Sequence, residues 1–592
     1  MLPAARDEVA RAQAEHELEL LPHADGPPGA EKAAVSSVAR RNRDKIKSLD
    51  GLRGIACLLV FNYHFLWPWT PMIMLGYGAL PPHAPEPYAE WPSLPILCLL
   101  HRGRPMVAIF FAISGYVLCR HILRAIHERR IEAAYQSLAS AVFRRAFRLY
   151  IPPTISMFIV AMLAQLGAFR AEDDIFKGRD SVYINGTITA VSQTKFPCFN
   201  HTIPATGPAG IAEHLGVSDP SLLGVLGNHS MPLPWPQEMC LNSSSFLFGP
   251  SALYTLVHEP ESRTNVTGEV DAHGKPIIIE EPEPDNDGPQ HQIQKVNNAT
   301  DLVWVQFGGS WEEHPLIHDN ITYALQNFTR VYAEWANPFN FGHYHPRYDP
   351  HTFTIPMELR GSIFLYVFLL ATAAIKRKWR WTFAGILSAY SLQLGRWDMA
   401  TFMGGMLLSE MDIWLADNDM SLIPPVTGSS SNHRPMRGAA VLRWAVFVLA
   451  LYFLSYPDSG AEYTPGFVYL SSWVPRYYIP LSGWMFYQAT GALLLLPCVL
   501  RSPLLCHLLE GRVAQYLGKV SFSFYLIHGP VLHGLGFWIM PRLFDQLSKL
   551  TAYAVGYVLL LSISLYLSNW WCRKVDGWSV TVGKRVERFV LE

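Results

Sequence analysis

Apolar residues gather in ten runs, near 50–67, 106–122, 148–168, 360–375, 381–395, 398–416, 439–456, 480–500, 518–538 and 552–572. A membrane-crossing helix needs about 20 mostly apolar residues, and somewhat fewer where neighbouring helices share the load. The pattern predicts an all-α, polytopic membrane protein with about ten transmembrane helices. Polar stretches divide it into an N-terminal arm at 1–47, helices 1 to 3 at 48–168, a long insertion at 169–350, helices 4 to 10 at 351–572 and a tail at 573–592. The arm reads as disordered, and it lacks the apolar core of about 7–15 residues that a cleavable signal peptide needs.

Composition agrees with this reading. Half of the 592 residues are apolar and only 16% are charged, against about a quarter in soluble domains. The net charge of −1 gives no reason to expect a nucleic-acid partner.

The placement of Lys and Arg sets the orientation. Basic clusters at 40–47, 120–148, 376–380 and 573–588 fall on one side if both termini are cytosolic. Arg102 and Arg104 are the exception and read as a snorkelling pair at a helix end. Eight Asn-x-Ser/Thr sequons, Asn185, Asn200, Asn228, Asn242, Asn265, Asn298, Asn320 and Asn327, are confined to the insertion. That confinement puts the insertion in the lumen or outside the cell, as a glycosylated segment of a secretory-pathway protein of the endoplasmic reticulum or plasma membrane. Of the eight cysteines, only Cys198 and Cys240 lie in polar sequence, which makes them the candidate disulfide.

Candidate chemistry begins with Arg53 and His64, eleven residues apart on the first span. On a helix that spacing is a rise of about 16–17 Å, so His64 lies deep in the membrane when Arg53 is near the cytosolic surface. An ionisable side chain there is a functional hypothesis by default. His64 either accepts a proton from an acceptor hydroxyl or hydrogen-bonds between helices for packing.

Ser114, in Phe110-Phe-Ala-Ile-Ser-Gly-Tyr116, reads as a packing position with no serine-hydrolase elbow around it. Arg145 and Arg148 share a helical face and either clamp donor phosphates or anchor the helix. Before the fourth span, His343, His345 and His351 lie upstream of Glu358 and Arg360. Glu358 either orients a histidine, holds a hydroxyl, or pairs with an arginine. An H-x-H spacing in a loop is weak grounds for a metal, and none is assigned. In the ninth span, Tyr525 and His528 either line a polar path or tie helices together, with His533 five residues further on.

These pieces together resemble the acyltransferase-3 family of integral membrane acyltransferases. The resemblance rests on Ser48-Leu-Asp-Gly-Leu-Arg53-Gly with the R-x10-H of Arg53 and His64, on Phe110–Tyr116, on the R-x-x-R of Arg145 and Arg148, and on Ser521–His528. Ile355-Pro-Met-Glu358-Leu-Arg-Gly-Ser is similar to the fungal version. The match covers about 48–572 apart from the insertion, which is far longer than bacterial relatives carry.

The resemblance implies transfer of an acyl group from a cytosolic donor, usually a CoA thioester, to a hydroxyl-bearing acceptor such as a lipid, sterol, carbohydrate or secondary metabolite. It implies His64 as catalytic centre with Arg53 in support, and Arg145 and Arg148 at the donor. In the mechanism built on that implication, Glu358 is a candidate orienting partner of His64. Membrane lipids, the acyl-CoA co-substrate and the acceptor are the expected partners, with no tightly bound cofactor. The alternative is a transporter that moves a lipid or glycolipid past the intramembrane His and Arg residues.

Overall fold

A computed structural model describes residues 46–70, 91–170, 321–339, 346–417, 437–478 and 483–591 with a few positions omitted, and isolated residues and six short strands between 170 and 320. The expectations for the arm, and most of those for the insertion, fall outside these residues.

Each of the ten apolar runs folds as helix. In chain order these are α1 (Lys47–Leu66), α2 (Arg104–His127), α3 (Ile131–Gln165), α5 (Thr354–Thr372), α6 (Arg377–Gln393), α7 (Trp397–Asp417), α8 (Arg437–Leu454), α9 (Gly483–Arg501), α11 (Arg512–Val531) and α13 (Lys549–Trp571). Between and beyond them lie α4 (Ile321–Ala336), α10 (Pro503–Leu509), α12 (Phe537–Gln546) and α14 (Gly577–Leu591). Among the described residues, five helical stretches are long and apolar enough to cross a membrane: 104–127, 131–165, 350–372, 483–501 and 549–590. The other apolar helices fall short of that length or hydropathy.

Local chemistry fixes several helix ends. Pro105 opens the first turn of α2, where its missing N–H costs nothing. Ser548 caps α13 by accepting from Thr551 N. α1 packs along α11 and α2 along α7. The second pair is brought close by glycine, since a Cβ on Gly405 would stand 2.3 Å from Ala112 O. At one end Arg380 is bound through its guanidinium to Glu410, which His127 also faces at 3.1 Å.

The described strands are confined to the insertion. Thr189–Ser192 pairs with Leu302–Val305, Thr202–Ala205 with Gln237–Cys240, and Thr264–Val270 with Pro276–Glu280, each as an antiparallel two-stranded ladder. The body that carries the helices is all-α.

α4 changes where the insertion ends. Asn320 caps it, its Oδ1 accepting from Thr322 N at 2.7 Å, and it runs antiparallel along α3. Gln165 Oε1 accepts from His318 N at 3.2 Å, Phe328 meets Phe158 at 5.7 Å, and Tyr150 donates to Ala336 O at 2.8 Å. Val331 and Trp335 share a core with Leu149, Met157 and Val160. The boundary drawn at 350 therefore cuts through a segment that packs with the helical body.

The same packing corrects one expected glycan. Asn327 is buried, and its amide donates to Tyr348 Oη at 3.1 Å, which leaves no room for a sugar. Asn320 stays exposed. The side chains of the other six sequons, and those of Cys198 and Cys240, lie outside the described residues.

Candidate active site

Two polar clusters lie inside the bundle, and α1 contributes to both. The first surrounds His64. After α4 the chain turns at Asp349 into a tight helical turn, Pro350–Phe353. Thr352 Oγ1 donates to Asp349 O at 2.7 Å, and Trp335 Nε1 donates to Thr352 O at 3.0 Å. The turn delivers His351 onto His64, with His351 Nε2 and His64 Nδ1 2.9 Å apart. Behind it, His351 Nδ1 is 3.0 Å from Asp349 Oδ1.

α11 closes this cluster from the opposite side. Gly529 permits the approach, because a Cβ there would stand 2.6 Å from His351 Nδ1. Tyr525 Oη donates to the His351 carbonyl and lies 2.8 Å from Thr354 Oγ1. The His528 ring is 5.4 Å from that of His64 and 4.9 Å from that of His351. His528 Nδ1 donates to Phe524 O at 3.0 Å, which directs its Nε2 lone pair into the cluster. A π turn at Leu532–Gly536 then stacks His533 on His351 at 5.6 Å; such turns are frequent at functional sites. His351, His528, His533 and Asp349 are all buried.

One ring nitrogen from each of His64, His351 and His528 lies within 4.8 Å of the others, a spacing that admits a metal ion. Two imidazoles on one tetrahedral zinc, each nitrogen about 2.0–2.1 Å from the ion, would sit about 3.3 Å apart. The 2.9 Å between His64 and His351 is instead the separation of a shared proton.

The second cluster is arginine-rich. Arg145 donates to Glu358 Oε1 at 2.7 Å and to Ser362 Oγ at 2.5 Å, and Ser114 donates to the same Glu358 oxygen at 3.2 Å. Arg148 interacts electrostatically with Arg145, Arg53, Glu358 and Asp576. Its side chain keeps accessible surface although it is densely surrounded, with charged groups from three other elements among its neighbours, so it lines a recess between them. Arg53 itself is 3.7 Å from Asp50.

The structure thus gathers His64, Tyr525 and His528 in one cluster, and Arg53, Arg145, Arg148, Glu358 and Ser114 in the other. The orienting of His64 by Glu358 is corrected, since the group against His64 is His351, and the other reading of Glu358, pairing with an arginine, holds: it is bound to Arg145 and accepts from Ser114. A second expectation is corrected as well. Arg102 does not snorkel: it is 1% exposed.

Sequence reasoning had His351 in view but gave it no role, and it passed over Asp349, Ser362 and Asp576. The one available signal was the Asp349-Pro-His351 turn immediately before an apolar run that carries a carboxylate.

A buried histidine cluster and a separate arginine cluster, inside an all-α body with membrane-length apolar helices, suit an acyltransferase of a membrane, and comparison with known families shows that class. The acyltransferase domain family, acyltransferase 3, matches residues 46–201 and 302–569, and the chain belongs to it. The second matched block begins ahead of α4 and so includes Asp349 and His351.

Among curated proteins the chain is similar to the O-acetyltransferase PaAT-1 of Phomopsis amygdali, 24% identical over 90% of this chain and 83% of that protein. It is also similar to acyltransferase R4 of a Phoma species, 23% identical over 86% and 88%, and to acyltransferase clz18 of Cochliobolus lunatus, 23% identical over 87% and 89%. No solved structure matches it. The protein is an O-acyltransferase.

Proposed function

We propose that the chain transfers an acyl group from a cytosolic acyl-CoA to a hydroxyl of a lipid, sterol, carbohydrate or secondary-metabolite acceptor. It does so as an integral protein of the secretory pathway with both termini in the cytosol. The observation that carries this reading is the division of labour within one bundle. Arg148 lines a recess with Arg145 and Arg53 beside it, while His64, eleven residues beyond Arg53 on α1, is held in a separate histidine cluster.

Arg145 and Arg148 hold the donor's phosphates, and the thioester extends toward His64. His64 takes the hydroxyl proton as general base, and Arg53 supports the charge at the donor end. The reacting oxygen and carbonyl then meet away from bulk water, which limits loss of the acyl group to hydrolysis.

One relative is named an O-acetyltransferase, so acetyl-CoA is the first donor to test. Membranes carrying the wild type or His64→Ala are incubated with radiolabelled acetyl-CoA and a fungal lipid and metabolite extract. Transfer of label by the wild type alone is expected; equal transfer by His64→Ala would overturn the mechanism.

A further inference from the structure

We propose that Asp349 and His351 are positioning residues that fix the tautomer of His64 and make its Nε2 the basic atom of acyl transfer. The inference rests on the O-acyl-transfer reading above and on the order of contacts along the relay.

An ionised carboxylate only accepts hydrogen bonds, so at 3.0 Å His351 Nδ1 is the donor to Asp349 Oδ1. A neutral His351 then carries its lone pair on Nε2. That atom, 2.9 Å from His64 Nδ1, accepts a hydrogen bond from the His64 Nδ1–H, and the lone pair of His64 falls on Nε2. Each assignment follows from the hydrogen-bond network and is anchored by one buried carboxylate.

The surroundings hold this order in place. The Asp349–Thr352 turn is tied to Trp335, the His351 carbonyl is held by Tyr525, and Gly529 leaves the space His351 occupies. The titratable groups facing the relay are Tyr63 on α1, Tyr525 and His528 on α11, His533 on the π turn, and Glu358 further along α5.

In the reaction the acceptor hydroxyl gives its proton to His64 Nε2 as its oxygen bonds to the acyl carbonyl. The C–S bond of the thioester breaks, and the departing thiolate takes the proton back from Nε2. While His64 is an imidazolium, its proton stays on Nδ1 and is donated to the lone pair of His351 Nε2, and the negative charge of Asp349 is felt through that hydrogen bond. Such a carboxylate orients and stabilises the imidazolium without itself being protonated.

The test compares purified full-length wild type, Asp349→Asn, Asp349→Glu, His351→Gln and His64→Ala for transfer from acetyl-CoA, with kcat, both KM values and the pH profile of kcat/KM. Asp349→Asn is expected to lower kcat about 100-fold or more with little change in either KM. Without the anion, the imidazolium is less favoured and the acid limb moves to lower pH; a purely structural role would leave that limb in place. Asp349→Glu should restore part of kcat and return the limb toward its original position.

Should Asp349→Asn fail to purify as a single species, His351→Gln is read by the same limb. A wild-type kcat and an unmoved limb in these variants, beside an inactive His64→Ala, overturn the relay alone. Transfer by His64→Ala would overturn the acyl-transfer reading instead. Stoichiometric zinc in the purified protein, lost together with activity on chelation, would also overturn the relay.

Discussion

Gly54 of α1 meets Gly518 of α11 backbone to backbone, so that a Cβ added to Gly54 would lie 2.4 Å from Gly518 N, and one added to Gly518 would lie 2.2 Å from Asp50 O. The crossing lies well short of His64 on one helix and His528 on the other and sets how those rings meet. Gly518→Ala is expected to force the helices apart at an overpacking cost of about 1–3 kcal/mol. Thermal unfolding in detergent should show the lower midpoint, and acyl transfer should fall further than the loss of folded protein explains.

Arg360 and Asp398 form a buried ion pair at 2.8 Å, on another side of α5 from Glu358, and Arg396 also reaches Asp398 at 2.8 Å. Removing one partner leaves a charge in a place that cannot solvate it. Asp398→Leu, which strands the buried Arg360, is expected to cost about 3–5 kcal/mol, and Asp398→Leu with Arg360→Met should recover much of that. The unfolding midpoints of the single and double variants provide the check.

Arg145 is tied to Glu358 and Ser362, whereas Arg148 faces the recess. Charge-assisted hydrogen bonds contribute about 1.5–3 kcal/mol, so Arg148→Gln should raise the KM for the donor roughly 10- to 100-fold and leave the acceptor KM unchanged. Arg145→Gln should raise it as well and also lower the thermal midpoint, because it strands Glu358. Initial rates over a grid of donor and acceptor concentrations separate the two effects.

Asn320 is exposed, whereas Asn327 donates to Tyr348 within the α3–α4 packing. Asn320→Gln is expected to remove one glycan, seen as a mobility shift that glycosidase treatment abolishes. Asn327→Gln should leave the glycan count unchanged.

Burial, with the Arg102 charge beside it, pushes the His101 imidazole down to about 4. His101 Nε2 donates to Pro92 O at 3.1 Å, so the ring is folded in its neutral form. In the unfolded chain an imidazole titrates near 6.5, and there it binds its proton more readily. Stability is therefore whole above about pH 6.5 and is lost as the pH falls toward 4. Unfolding midpoints between neutral and acidic pH should show that decline, and His101→Gln, which keeps a donor for Pro92, should flatten it.

The positions of the ten helices were legible because a long apolar stretch away from bulk water must satisfy its own backbone, which leaves little choice but helix. Arg53 and His64 were legible because they interrupt such a stretch, and Arg145 with Arg148 because helical spacing puts them on one face. His351 and Asp349 carry no such signature. Their place comes from a turn with no periodicity, and their partner stands 287 residues away. α4 was hidden for a different reason, since two sequons at its start and middle marked it as exposed insertion, although only Asn320 faces out. Glu358 was visible as a charge at the edge of an apolar run; which charge it met depended on how α3 and α5 cross.

The short stretch from Asp349 to Arg360 touches His64 on α1, Arg145 on α3 and the buried Asp398 on α7. It works as a common spine, one continuous turn and helix that presents side chains to three other helices. Within the family match, the chain between 201 and 302 is skipped, and the spine lies wholly beyond that gap. His64 and Arg145 fall in the first matched block and the spine with Asp398 in the second, so the skipped length separates the two halves of these contacts in sequence and interrupts neither.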